Sequence, residues 1–316
     1  MLVHVGLPKT ATSWLQEHLF SQDRHGFWAP AREEASGKQR VKAYARLFYL
    51  DGEGRLVAEP DFDADGLVAR LSDVKVPREH APVISNERLA GHVLSNAFDR
   101  EMLARRIKAV LPEARIFVTF REQNAMILSS YMQYLKYGGW RSLDGFLSPP
   151  SDARMPTLDL QVWNYERLIS LYHEIFGPEQ TLALPYEMFA RDPEEYIGRI
   201  CRFAGVTMPS GLPLAKTENG RRSHFTSYHL RWLTCINRST SANGFFPRPL
   251  GAMAGKMVDR GIKLGIERLV PPSWEACLND RMAEKIETMV GDTFRASNQR
   301  TAELTGLDLA AYGYKT

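Results

Sequence analysis

An α/β fold, with a parallel sheet flanked by helices and a helical C-terminal elaboration, is predicted by three features of this sequence. Short apolar runs alternate with segments of helical periodicity between Val3 and Ala204. Such alternation argues for parallel strands with helices on both faces. The first run passes directly into a tight loop and a helix, Val3-His4-Val5-Gly6-Leu7-Pro8-Lys9-Thr10-Ala11-Thr12-Ser13-Trp14-Leu15-Gln16, which reads as strand, phosphate-type loop, helix. Beyond Val206 Pro and Gly are scattered through 207–220 and 243–251, and helical patterns dominate to the end.

The elements follow in order. Thr12 to Phe20 forms a first helix with Thr12 as its cap. Gly26-Phe27-Trp28-Ala29-Pro30 reads as a short strand, Val41 to Leu50 as a helix, and Asp51-Gly52-Glu53-Gly54 as a turn. A helix from Asp63 to Val74 precedes the strand Ala81-Pro82-Val83-Ile84-Ser85-Asn86-Glu87. Helix Phe98 to Leu111, strand Ala114 to Phe120 and a long helix to Tyr137 come next. Helix Asp159 to Phe176, strand Thr181 to Leu184 and helix Pro193 to Ala204 complete the alternation. The expected organisation is one domain over 1–316. Residues 1–206 form the α/β nucleotide-binding core, and 207–316 a lid loop and helical C-terminal part.

The 316 residues are ample for one large α/β domain. Hydrophobic content of 44% and charged content of 24% are those of a soluble globular chain. A net charge of +3 is nearly balanced, so no nucleic-acid partner is expected. Cys201, Cys235 and Cys277 are odd in number and far apart, which predicts neither zinc site nor disulfide framework and suits a reducing compartment. The N-terminal apolar run meets Pro8-Lys9 too soon for a signal peptide, and no run of about 18 apolar residues predicts a spanning helix. A cytoplasmic location is expected.

The chemistry begins at the first loop. Helix N-termini bind anions through free backbone N–H groups and the helix dipole; Lys9 adds a charge, and Thr10, Thr12 and Ser13 add hydroxyls. Laid from Gly6 on the nucleotide-triphosphatase pattern G-x-x-x-x-G-K-[ST], Ala11 stands at the second Gly and Thr12 at the Lys. The lysine lies three residues earlier and suits a shorter anion such as a 5′-phosphosulfate.

The run Pro8 to Gln16 resembles the 5′-phosphosulfate loop of sulfotransferases that use 3′-phosphoadenosine-5′-phosphosulfate (PAPS), with Ala11 where that family usually has Gly. The resemblance implies that Lys9, Thr10, Ala11, Thr12, Ser13 and Trp14 hold the donor. A second motif, Phe117-Val118-Thr119-Phe120-Arg121 with Ser129-Ser130-Tyr131, resembles the family's 3′-phosphate site. It implies that Arg121 at a strand end and Ser129, eight residues on in the following helix, contact the 3′-phosphate. Glu122-Gln123 replaces the family's frequent Asp-Pro. Lys216-Thr217-Glu218-Asn219-Gly220-Arg221-Arg222-Ser223 looks like the late segment that folds over the nucleotide, which would bring Gly220, Arg221 and Arg222 to it; the other reading is a solvated basic turn. Leu184-Pro185-Tyr186-Glu187-Met188-Phe189 and Phe294 to Tyr314 extend the likeness along the chain, as packing rather than chemistry.

Attack of an acceptor hydroxyl on sulfur needs a base. Glu87, at a strand end, occupies the region of the glutamate base in carbohydrate sulfotransferases, and His92 is the nearest candidate for the histidine used by cytosolic members. The alternative is a structural Glu87 paired with Lys9 or Arg88. His4, inside the first strand, is expected to be a packed core histidine. Leu250 to Leu269, with Phe245-Phe246-Pro247 before it, is basic and amphipathic. It suits packing on the domain, a wall of the acceptor pocket, or peripheral contact with an anionic membrane.

The resulting expectation is a PAPS-dependent sulfotransferase that releases adenosine 3′,5′-bisphosphate, needs no metal, and acts on a saccharide or lipid-linked head group. Phenols and other small alcohols remain open as acceptors. The rivals are an ATP-dependent small-molecule kinase of the phosphate-loop class and a non-catalytic nucleotide-binding protein.

Overall fold

A computed structural model describes residues 1–30, 37–149, 157–214, 224–231, 261, 265 and 269–316. Among the described residues five strands form one parallel sheet in the order β2-β3-β1-β4-β5: β1 Leu2–His4, β2 Phe27–Trp28, β3 Ala81–Ser85, β4 Arg115–Phe120 and β5 Thr181–Pro185. Leu2, Val3 and His4 lie beside Val83, Ile84 and Ser85 on one side and beside Arg115, Ile116 and Phe117 on the other. Val3, Val83, Ile84, Ile116, Phe117 and Val118 are wholly or almost wholly buried, which is why these strands read as continuous apolar runs rather than alternating ones. The chain leaves β1 for the β2 edge, returns through β3, and crosses to β4 and β5. Strand order therefore reverses at β1, the position where open α/β sheets bind ligands beyond their strand ends.

Pairing between β1 and β4 continues past His4. Val5 N–H donates to Phe117 O and Leu7 N–H to Thr119 O, each at 2.9 Å. The chain then turns into α1 (Thr12–Trp14), which continues as wider π-helical turns over Leu15–Phe20. The cap differs from expectation. Ala11, not Thr12, stands at the N-cap in a left-handed conformation, and its methyl offers no side-chain bond; the Thr12 hydroxyl faces the Leu7 carbonyl at 3.4 Å.

The stretch expected as one helix over Val41 to Leu50 divides into α2 (Gly37–Ala43) and a 3₁₀ turn, Ala45–Phe48. Helix α3 (Ala64–Ser72) is capped by Asp63, whose carboxylate accepts from Gly66 N–H at 2.8 Å. Buried Arg106 on α4 (Arg100–Val110) ties this region down, donating to Phe48 O at 3.0 Å, Val57 O at 3.1 Å and the Glu59 carboxylate at 2.8 Å. Spreading one guanidinium over three acceptors offsets the cost of burying its charge.

Helix α5 (Gln123–Lys136) follows β4, and α6 spans Leu143–Leu147. The helix expected from Asp159 is broken at Asn164, whose side chain caps α7 (Tyr165–Phe176) by accepting from Arg167 N–H at 3.2 Å. After β5 come α8 (Tyr186–Arg191) and α9 (Pro193–Ala204), the latter with Asp192 as cap and Pro193 in its first turn. Helices α10 (His224–His229), α11 (Pro272–Val290) and α12 (Arg295–Thr305) follow among the described residues.

The chain gathers into two compact units. The first, Met1–Glu122, Val162–Glu218 and Phe294–Thr316, contains the sheet, and α12 joins it through Ser297 Oγ–H, which donates to Asn164 Oδ1 at 2.8 Å. In the second, Gln123–Gln161 and Asn219–Thr293, the described residues are mostly helical. There α5 is joined to α11 by Asn124 Nδ2, which donates to Glu287 at 2.6 Å, and the Glu275 carboxylate receives the first N–H groups of α10, from His224 and Phe225. No helix among the described residues is long and apolar enough to cross a membrane.

Candidate active site

The loop between β1 and α1 is held by its own hydroxyls. Thr10 Oγ1–H donates to Leu7 O at 2.6 Å and lies 2.6 Å from Thr119 Oγ1 of β4. The Thr10 and Thr12 side chains are buried and turned into the loop, while Ser13 is half-buried and Lys9 exposed. The sequence reading took all three hydroxyls as anion donors. In the structure the Thr10 and Thr12 hydroxyls also bond within the loop, both facing the Leu7 carbonyl. Gly6 has no room for a side chain: a Cβ there would stand 2.1 Å from Thr119 Oγ1 and 2.4 Å from His4 Nε2.

Lys9 and Ala11 both adopt left-handed backbone, at φ 68° and 60°. That region costs a non-glycine residue about 1–2 kcal/mol, and strain of this kind gathers where backbone must face a ligand. It also explains why a glycine suits position 11. Ala11→Gly is expected to relieve the strain while adding chain entropy of roughly 0.5–1 kcal/mol to the unfolded state. The net gain is about 0.5 kcal/mol, a rise in Tm of about 1–2 °C. A fall in Tm on thermal unfolding would show the loop unstrained.

Arg121 stands one residue past the end of β4. Its Nη1 donates to the Lys9 carbonyl at 3.4 Å, and its guanidinium lies over the Tyr186 ring, 4.9 Å from the centroid. Among the described residues its buried Nε has no hydrogen-bond partner, a donor that an anion would satisfy. The backbone beneath it is braced three ways. Tyr165 O–H donates to Arg121 O at 2.5 Å, Glu122 N–H to Glu187 Oε1 at 3.1 Å, and Tyr314 O–H to Glu187 Oε2 at 2.9 Å. Burial pushes the Glu187 carboxyl above its ordinary range. Tyr186, Glu187 and Tyr314 lie in segments the sequence reading assigned to packing. Their packing is what fixes Arg121.

Strand β3 ends at Ser85, two residues before Glu87. Asn86 caps the short turn Glu87–Ala90 by accepting from Arg88 N–H at 3.0 Å. The Glu87 carboxylate pairs with neither of the partners considered from sequence. Lys42 of α2 holds both its oxygens, at 3.0 and 3.3 Å, while Arg88 pairs with buried Asp99. Lys42 was missed because its partner lies 45 residues away and no local pattern marks it. His92 is engaged by residues that follow it: its backbone N–H donates to the Asp99 carboxylate at 3.0 Å and its Nδ1 lies 2.8 Å from Ser95 Oγ. Burial, then the nearby Arg88 charge, lowers its pKa.

His4 is wholly buried, as expected of a core histidine, and its ring stacks on Phe117 at 4.8 Å. Trp14 is buried 5.1 Å from the Phe189 ring, and among the described residues its Nε1 has no hydrogen-bond partner. Ser129 is half-buried on α5. Gly220, Arg221 and Arg222, and the segment from Leu250 to Leu269 apart from Gly261, Gly265 and Leu269, lie outside the described residues.

The first loop leaves the central strand, Arg121 from the next strand bonds to it, and Glu87 follows β3, so all three stand at strand ends of one α/β sheet. Residues 2–210 match the sulfotransferase family, and the chain belongs to it. Among solved structures it is similar to a sulfotransferase from Alicyclobacillus acidocaldarius, at 20% identity over 76% of this chain and 97% of that one, with a TM-score of 0.45. It is also similar to the sulfotransferase domain from the curacin biosynthetic pathway, at 14% identity over 92% and 96%, with a TM-score of 0.40. No curated protein sequence matches the chain.

Proposed function

We propose that this sulfotransferase takes its sulfuryl group from PAPS and transfers it to an acceptor hydroxyl. The observation that carries this reading is the bond from Arg121 Nη1 to the Lys9 carbonyl, which joins the loop lysine to a strand-end arginine whose Nε has no partner among the described residues. Two anion-binding groups at adjacent strand ends suit a nucleotide with phosphates at both its 5′ and 3′ positions. In this reading the loop from Lys9 to Trp14 binds the 5′-phosphosulfate, and Arg121, with Ser129, binds the 3′-phosphate.

The donor supplies an activated sulfuryl group whose bond to the phosphate oxygen breaks as the acceptor oxygen bonds to sulfur. Lys9 meets the charge growing on that departing oxygen, a form of stabilisation that is large in many transfer reactions. Glu87 accepts the acceptor's proton. Lys42 orients its carboxylate, and His92 is the second candidate for the base. A saccharide or lipid-linked head group is the proposed acceptor class. Both compact units are proposed to serve one sulfotransferase domain.

Adenosine 3′,5′-bisphosphate is expected to bind at least about tenfold more tightly than 5′-AMP, since a charge-assisted bond to the 3′-phosphate contributes roughly 1.5–3 kcal/mol. Calorimetry with both nucleotides tests this. Equal affinities would remove the 3′-phosphate site, and the PAPS reading with it.

A further inference from the structure

We propose that His4 is a positioning residue for the anion loop: protonated on Nε2, it completes a one-directional hydrogen-bond chain from Gln16 on the first helix to the Leu7 carbonyl, and so holds Thr10 in place.

The direction follows from counting protons. Thr10 Oγ1–H is committed to Leu7 O at 2.6 Å, so the contact of 2.6 Å with Thr119 Oγ1 requires the Thr119 hydroxyl to donate. With that proton spent, the contact of 3.3 Å between Thr119 Oγ1 and His4 Nε2 requires the imidazole to donate. A neutral ring protonated on Nε2 has a bare Nδ1, which accepts from Ser85 Oγ–H at 2.8 Å. Ser85 Oγ in turn accepts from Gln16 Nε2 at 3.0 Å. The donors thus run Gln16, Ser85, His4, Thr119, Thr10, ending on the loop carbonyl. They join the first helix, β3, β1 and β4 to the turn that carries Lys9.

Two further observations support the chain. Every member is buried, so water does not compete for these bonds. Burial, then the charge of Lys42, holds the His4 pKa down at about 3, and the ring stays neutral as the chain requires. The space above Gly6 is also filled by two chain atoms, Thr119 Oγ1 and His4 Nε2. The absent side chain at position 6 is therefore the room the chain occupies. A histidine is suited to this place because one neutral side chain both accepts and donates across β1, and its tautomer sets the direction of every hydroxyl beyond it.

The proposal rests on the donor reading only for its nucleotide readout. Long-range ¹H–¹⁵N correlation on histidine-labelled wild-type protein, with His4 assigned through its backbone, is expected to show Nε2 protonated and Nδ1 bare at pH 7. A ring protonated on Nδ1, or an imidazolium, overturns the chain whatever the enzyme binds.

Thr119→Val keeps the side-chain shape but interrupts the chain. It is expected to weaken adenosine 3′,5′-bisphosphate binding about tenfold or more and to speed exchange of the Leu15 amide, which bonds the Ala11 carbonyl at 3.0 Å. Thr119→Ser, which keeps the hydroxyl, is expected to restore both. Wild-type affinity and exchange in a folded Thr119→Val protein overturn the positioning role. If the wild type binds no bisphosphate, the donor reading fails, and the tautomer and amide exchange still judge His4. If Thr119→Val does not fold, the tautomer decides.

Discussion

Lys9→Ala is expected to lower kcat by about 10²–10³, the loss typical of removing one preorganised donor from a developing negative charge. Affinity for adenosine 3′,5′-bisphosphate should fall by much less. The difference arises because the charge Lys9 meets is small in the bound donor and large as the bond to the phosphate oxygen breaks. The structure sharpens the expectation. Lys9 is exposed, its backbone is left-handed at φ 68°, and its carbonyl is held by Arg121. The main chain is thus fixed by the loop, and alanine removes the ammonium without removing the contact to Arg121. Stopped turnover with saturating donor, beside calorimetry of the bisphosphate, separates the two effects. Unchanged kcat with weakened binding would make Lys9 a phosphate anchor and nothing more.

Glu87→Gln is expected to cost about 10²–10⁴ in kcat while bisphosphate affinity is retained, since the amide keeps the shape but cannot take a proton. Lys42 adds a second arm. Lys42→Met removes the ammonium that grips both carboxylate oxygens at 3.0 and 3.3 Å. It should leave the base present but badly aimed, so kcat falls by less than in Glu87→Gln. His92→Asn should cost little, because its Nδ1 already faces Ser95 and its backbone Asp99. The assignment fails if Glu87→Gln stays within a few-fold of wild type while His92→Asn is inactive. In that case the saccharide preference loses its support as well.

The Ala11 contrast shows how a motif and its geometry complement each other. A sequence comparison treats Ala for Gly as one small residue for another. The left-handed backbone at that position shows why glycine is the easier choice and what alanine costs there.

What the sequence determined by itself was the part written in local patterns. Apolar runs and helical periods located every strand of the sheet to within two residues, since burial on both faces leaves no alternation to misread. The strand–loop–helix run placed the phosphate-type loop, and the apolar run ending in Arg121 placed the arginine. The tertiary structure alone decided the partners. Lys42 reaches Glu87 across 45 residues, Tyr314 reaches Glu187 across 127, and His4 meets Ser85 and Thr119 across 81 and 115. Sequence patterns report which residues share a face or a turn over a few positions. A hydrogen bond between side chains depends on which strands become neighbours, and strand order is set by packing of the whole sheet. His4 shows the division in one residue: its place in an apolar strand marks it as buried, and only the strands beside it give each ring nitrogen its partner.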